Sequence, residues 1–365
     1  MNRFLQSLCV LLLVPSLLAA QQDLRYALAV PGYRYAFPRD HGSHPEFKLE
    51  WWYYTGNVRS MDGRQFGYEL TFFRSGMDRS YNNSSSWRVR DLHMTHLAIT
   101  DITQKKFYYF EKLNRDGPGI AGAKQDTLDV WNENWSVRLQ NGAMILNANA
   151  GNAAIELKLE SMKDPVIHGL DGISQKAEGV GHASHYYSMT RMITAGNIRL
   201  GGKTVTVHGE SWMDHEFGTS QLTEDQVGWD WFSVQLDNGS ELMLYRLRHR
   251  NGSVDPNSSG TIIGPDSKIQ HLRVSEFIAV PSRLWKSTKT DTSYPIEWSI
   301  SLPGRATSLR LTPLLDDQEL VTTRSTGIAY WEGAVQVTGT WEGKPVAGRG
   351  YVELTGYSER YRPKI

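Results

Sequence analysis

From Phe66 onward, apolar and polar residues alternate in short runs, and Asx-Gly or other glycine-containing turns separate the runs. A period of two is the signature of a strand, because successive side chains leave it on opposite faces. Trp135–Gln140, the pair Asn141-Gly142 and residues 143–147 read as a hairpin whose turn residues tolerate the positive φ of a type I′ turn. Asp62-Gly63 likewise joins residues 51–58 to 66–73, and Asp237-Asn238-Gly239 joins 229–236 to 241–247. Helical periodicity is scarce, and residues 274–285 are the best site for a helix or loop interruption. The pattern predicts an all-β chain.

Two of these hairpins look like copies. Trp51-Trp52-Tyr53-Tyr54 leads through a turn glycine to Tyr68-Glu69-Leu70-Thr71-Phe72, and Trp229-Asp230-Trp231-Phe232 leads through another to Glu241-Leu242-Met243-Leu244-Tyr245. Gly202-Lys203, Val205 and Gly209 share their spacing with Gly343-Lys344, Val346 and Gly350. Each half thus opens on a Trp-rich hairpin and closes on a Gly-Lys hairpin, which predicts an internal duplication into two antiparallel β-barrels or sandwiches. The polar, turn-rich stretch 217–226 is the predicted boundary, with domains over 44–220 and 221–365.

A length of 365 residues, with 40% hydrophobic and 21% charged, accommodates two cores and excludes a disordered chain. The 39 basic and 39 acidic residues cancel, so no long-range field favours nucleic acid. Tryptophan stands out instead, with 12 in the chain. At the N-terminus, Arg3, the apolar run from Phe4 to Leu18 and Ala19-Ala20 read as a signal peptide over residues 1–20, followed by an extension over 21–43. Cleavage after Ala20 would export the protein to the periplasm or medium without a stable membrane anchor. It would also remove Cys9, the single cysteine, and with it any disulfide or thiol chemistry.

Two clusters carry candidate chemistry. In His208–Gly218, strand alternation puts Trp212, Asp214 and Glu216 on one face and Met213, His215 and Phe217 on the other. Carboxyls sharing a face flanked by indoles can be driven apart in pKa, as acid–base work requires; alternatively, Asp214 and Glu216 anchor backbone amides and an arginine at a domain junction. In His44–Gly56, Trp51 and Tyr53 cover one face and Trp52 and Tyr54 the other, so the strand is central or lines a cavity, and Glu50 must be solvated or held by a partner. His93-x-x-His96 and His182-x-x-His185 have strand spacing that separates each pair, so no metal site is predicted, nor is any cofactor: there is no nucleophile elbow, phosphate loop or dinucleotide fingerprint.

His44, Phe47, Glu50-Trp51-Trp52-Tyr53 and Gly56, then Trp212-Met213-Asp214-His215-Glu216-Phe217-Gly218, Gly228-Trp229-Asp230-Trp231-Phe232 and Gly348–Tyr357, resemble the AttH-like and carotenoid 1,2-hydratase (CrtC) family of secreted bacterial proteins. The resemblance runs from about His44 to Tyr357 and implies two tandem lipocalin-like (calycin) barrels. Three readings follow. The first is an exported protein that binds a lipid, fatty acid or isoprenoid in a Trp-lined cavity, for which Trp51, Trp52, Tyr53, Trp212, Trp229, Trp231, His44 and Glu50 are the candidate binding residues and a functional link to an ABC transporter is a candidate partnership. The alternative is a carotenoid-hydratase-like hydro-lyase that protonates an isoprenoid alkene. Here Asp214 or Asp230 would be the acid, the tryptophans would stabilise the cation, and His215 or Glu216 would activate water. The third is a secreted hydrolase, for which the sequence offers no nucleophile.

Overall fold

The computed structural model describes residues 26–77, 85, 87–219 and 222–362. The predicted signal peptide, Cys9 and the junction at residues 220 and 221 lie outside the described residues. The chain is almost entirely antiparallel β, in two barrel-like sheets. The first contains β1 (Leu49–Ser60), β2 (Gln65–Gly76), β3 (Asp91–Asp101), β4 (Lys106–Arg115), β5 (Trp135–Gln140), β6 (Ala143–Asn149), β7 (Ala153–Ser161), β8 (Ala183–Leu200) and β9 (Lys203–Gly218). The second contains β10 (Gln226–Leu236), β11 (Glu241–His249), β12 (Ser259–Ile263), β13 (Ile269–Arg273), β14 (Ile278–Lys286), β15 (Ser293–Leu302), β16 (Thr307–Pro313), β17 (Ala329–Trp341) and β18 (Lys344–Leu354). Short strands at Ala121–Ala123, Asp129–Asn132, Val166–Ile167, Ser174–Gln175 and Glu319–Val321 extend or flank them.

Strand order repeats between the sheets. The first runs β4-β3-β2-β1-β9-β8-β7-β6-β5 and the second β13-β12-β11-β10-β18-β17-β16-β15-β14. Each Trp-rich hairpin therefore pairs with the last strand of its own half, as β1 does with β9 and β10 with β18. Asn132 helps to close the first sheet, donating to His93 O at 3.2 Å and Thr95 Oγ1 at 3.0 Å. The Asn141-Gly142 turn has φ of 50° and 80°, as a type I′ turn requires. The helix or loop interruption expected over 274–285 is confined to a single 3₁₀ turn at Val274–Glu276, and β14 pairs with β15 along the remainder.

Apolar side chains fill both barrels. Trp52, Tyr54, Phe66, Tyr68 and Leu146 belong to the first core, and Phe232, Trp298, Trp331 and Val352 to the second. The outer faces of the central strands then pack against each other, joining Tyr53, Tyr186, Trp212, Trp231, Tyr245 and Tyr351 in a third cluster. The approach is close enough that a Cβ at Gly67 would lie 2.5 Å from Tyr351 Oη and 2.8 Å from Ala334 Cβ, so glycine is required there. β1 is a core strand on both faces because one serves its barrel and the other serves the junction.

Candidate functional site

A cavity of about 440 Å³ lies between the sheets, on their outer faces rather than inside either barrel. Strand register builds its walls. Across β8, β9, β1, β2 and β3 run Tyr186, Glu216, Trp51, Phe73 and Met94 as direct neighbours. One step along run Ser188, Asp214, Tyr53, Thr71 and His96, and beyond them Trp212, Thr55, Glu69 and Ala98. The second sheet opposes them with Glu332, Glu353, Trp231 and Tyr245, again in one row. The enclosed volume falls in the range of small-molecule pockets.

Three glutamates dominate this space: Glu69 and Glu332 are buried and Glu353 is half-buried. Glu332 and Glu353 are cross-strand partners, a geometry in which two negative charges repel strongly. Burial, followed by the charge of Glu353 and then Glu69, pushes the Glu332 carboxyl well above its usual range. Burial likewise raises Glu69 to about 8, with Glu353 adding to the effect, and Glu353 to about 7 against the pull of its Trp229 hydrogen bond. Trp229 Nε1 donates to Glu353 at 2.8 Å and Tyr53 Oη to Glu332 at 2.7 Å. The second oxygen of Glu332, like that of Glu69, is buried without a protein partner. Near neutral pH the cluster therefore holds protons next to ring faces.

Asp214 accepts from Trp212 Nε1 at 2.6 Å, Tyr186 Oη at 2.7 Å and Ser188 Oγ. Burial raises it to about 7 against those donors. Trp231 Nε1 donates to Tyr186 Oη at 3.0 Å, tying the acid to the second sheet. Glu216 is paired with the buried Lys176 at 3.0 Å, and that ammonium sits 4.1 Å from the Tyr245 ring centre.

The structure divides the sequence-derived candidates. Trp51, Tyr53, Trp229, Trp231, Glu50, Asp214 and Glu216 line the cavity. Trp52 does not: it lies in the first core, with Nε1 donating to His41 O at 3.0 Å. Trp212 backs Asp214 and is not among the lining residues. His44 and His215 lie behind the wall, where their rings join Glu50 in a buried hub. Glu50 accepts from His44 Nδ1 at 2.9 Å, His215 Nε2 at 3.0 Å, Arg74 Nε at 2.9 Å and Ser43 Oγ at 2.8 Å. Burial alone would raise its pKa, but Arg74 and the two histidines hold it well below the usual range. Ligand atoms of His44, Glu50 and His215 lie within 4.8 Å of one another, as a metal triad could. Arg74 already supplies the compensating positive charge, so the donor set reads as a filled ion-pair hub. His215 is thus a structural partner and not a water activator.

Asp230 is the clearest correction. Alternation sends Trp229 and Trp231 to the cavity and Asp230 to the opposite face, where it meets Arg248 at 3.0 Å, Arg246 at 3.4 Å and Tyr357 Oη at 2.7 Å. Asp230→Asn is therefore expected to lower the free energy of unfolding in urea by on the order of 3 kcal/mol, because it strands two cations.

Sequence reasoning did not single out Glu69, Glu332, Glu353 or Lys176 as site residues. The usable signal was a lone acid inside an otherwise apolar strand, as in Tyr68-Glu69-Leu70 and Val352-Glu353-Leu354. Their convergence depends on strands from both halves, which spacing along the chain does not reveal.

The AttH-like family model matches residues 28–357. A Nitrosomonas europaea protein described as AttH, solved by crystallography, is 32% identical and superposes with a TM-score of 0.83, covering 91% of this chain and all of that one. Kievitone hydratase of Fusarium solani subsp. phaseoli is 26% identical over 211 residues, which span 57% of this chain and 58% of the relative. The crystal structure of kievitone hydratase from Nectria haematococca shares the fold at 16% identity, with a TM-score of 0.71 and coverage of 89% of this chain and 93% of that one. The two-barrel architecture, the family match over nearly the whole described chain and the Nitrosomonas relative lead to one conclusion: this chain belongs to the AttH-like family.

Proposed function

We propose that the protein is a hydratase-like lyase that adds water to, or removes it from, an apolar alkene held between the two barrels. The observation that carries this reading is the cluster Glu69, Glu332 and Glu353, whose burial and mutual repulsion keep carboxyl protons available in a ring-lined cavity. Likeness to kievitone hydratase supports the same class of reaction.

In the hydration direction, Glu332 passes its proton to one alkene carbon, the π bond breaks, and the neighbouring carbon becomes cationic. The faces of Trp51, Trp229 and Trp231 attract that charge by their quadrupoles. A water oxygen bonds to the cation and gives up a proton, completing the alcohol. Mere storage of a lipid would be served by apolar walls alone, whereas several buried carboxyls weaken binding of a hydrocarbon. The buried Lys176–Glu216 pair in the lining suits a substrate with a polar end.

The test is turnover in isotopically labelled water. Purified protein incubated with kievitone, or with a panel of isoprenoid alkenes, is expected to yield a product heavier by one labelled water, detected by mass spectrometry. Incorporation equal to that of buffer alone for every compound, with the alkene recovered intact, would refute the reading.

A further inference from the structure

The cavity wall contains a second hydrogen-bonded constellation that the acid cluster does not use. Tyr330 Oη and His96 Nδ1 are 2.7 Å apart, His96 Nε2 and Ser325 Oγ are 2.9 Å apart, and Ser325 Oγ lies 2.5 Å from Glu111 Oε2. Tyr330 lines the cavity, His96 is fully buried, and Glu111 is partly exposed on β4. We propose that Tyr330, His96, Ser325 and Glu111 form a proton relay through which Tyr330 acts as the water-directed base of the reaction, with Glu111 as the outer terminus. This proposal rests on the hydratase reading and supplies the base which that reading leaves open.

The direction of the chain follows from its outer end. Both oxygens of Glu111 accept from the Arg324 N–H at 3.2 Å, and Oε2 also accepts the Ser325 hydroxyl proton. Ser325 has one proton to give, so its oxygen must accept from His96, which places the imidazole proton on Nε2. Nδ1 is then a bare acceptor and takes the Tyr330 hydroxyl. Every donor points outward. Burial pushes the His96 imidazole down to about 3, so the ring is neutral, as a conducting link must be. The relay exists only where the barrels meet: His96 and Glu111 are neighbours on β3 and β4, whereas Tyr330 and Ser325 come from the second half.

Proton balance closes along this path. As the water oxygen bonds to the cationic carbon, its proton passes to Tyr330 Oη. The Tyr330 proton moves to His96 Nδ1, the Nε2 proton moves to Ser325 Oγ, and the Ser325 proton moves to Glu111. Reverse passage returns a proton to the cavity, restores Glu332 and resets each tautomer. Tyr330 is the catalytic residue of this set, and the other three act through it.

The test uses the full chain in two arms. Without substrate, NMR of protein carrying isotope-labelled histidine is expected to show His96 as the Nε2–H tautomer. Glu111→Gln, whose amide can donate to Ser325, is expected to shift the ring towards Nδ1–H. A wild-type ring protonated at Nδ1, or a tautomer that ignores Glu111→Gln, overturns the relay. With kievitone as probe in mixtures of light and heavy water, the wild-type rate is expected to curve with deuterium content, as it does when several protons move together. Glu111→Gln and Ser325→Ala are expected to make that dependence linear and to lower kcat about ten- to a hundredfold at unchanged KM, the size of effect seen when partners behind a contacting group are removed. Tyr330→Phe is expected to cost on the order of 10²–10⁴. Unaltered kcat and curvature in Glu111→Gln overturn the relay and leave the hydratase reading standing. A wild type that hydrates no compound removes the hydratase reading, and the proposal that Tyr330 is its base falls with it; the His96 tautomer then reports only whether the outward chain exists.

Discussion

Glu332→Gln is expected to lower kcat for alkene hydration by on the order of 10²–10⁴ and, in the same protein, to raise stability at alkaline pH. The two effects have one cause. A carboxyl whose pKa rises on folding keeps its proton where the unfolded chain has released it, so stability falls as pH climbs from the ordinary 4.5 through about 7 for Glu353 and about 8 for Glu69. Removing Glu332 removes the carboxyl that burial, and after it the charges of Glu353 and Glu69, hold furthest from its ordinary state. The gain near pH 9 is expected to be on the order of a few kcal/mol, read as a shift of the urea midpoint, and the slope of stability against pH should flatten. Asparagine at Asp214 provides the contrast, because that acid already accepts from Trp212, Tyr186 and Ser188. Wild-type turnover by Glu332→Gln together with loss of turnover by Asp214→Asn would move the acid role to Asp214.

Glu50→Ala is expected to be the most destabilising single substitution in the wall, costing about 3–5 kcal/mol or preventing accumulation of folded protein. The change leaves Arg74 and the ring nitrogens of His44 and His215 buried without the carboxylate that joins them. Glu50→Gln keeps the volume but not the charge and should recover only part of the loss. The pH dependence has the opposite sense to that of the cavity acids. Because folding depresses the Glu50 pKa, its contribution is present above the ordinary 4.5 and disappears as pH falls through the lower folded value. Burial would lower the His44 pKa, but hydrogen bonds to Asp40 and Glu50 outweigh it and leave the ring raised to about 9, so its contribution is complete below 6.5 and fades towards 9. Stability should therefore peak on the mildly acidic side, between loss of the hub in acid and charging of the cavity glutamates in base. Denaturant titrations of wild type and Glu50→Gln across this range check the assignment: equal acid limbs would remove Glu50 from its role.

Opposed functions for neighbouring residues on single strands run through the whole site. Trp51 and Tyr53 face the cavity while Trp52 faces the barrel core, and Glu50, although it lines the cavity, has its carboxylate in the hub. Trp229 and Trp231 face the cavity while Asp230 pairs with arginines. Asp214 and Glu216 line the wall while His215 stacks against Trp52 at 4.8 Å between ring centres. Period-two reading separates such faces correctly, yet it cannot say which face meets a barrel interior and which meets another sheet. For that reason the pairing of Trp212, Asp214 and Glu216 on one side was legible, whereas assigning Asp230 to catalysis and Trp52 to ligand binding was not.

By itself, the sequence determined the all-β class, the type I′ turn at Asn141-Gly142, the matching Trp-rich hairpins and the motifs of the AttH-like family, because all of these are local: alternation, turn chemistry and short spacings survive in one dimension. Only the tertiary structure decided where the cavity lies, that Glu69, Glu332 and Glu353 share it, that Glu50 is locked by Arg74, and that His96 bridges Tyr330 to Ser325. Except for Glu50 and Arg74, partners across one hairpin, these contacts join opposite halves of the chain. Their chemistry arises from desolvation and charge proximity, which do not exist until two closed sheets press their outer faces together.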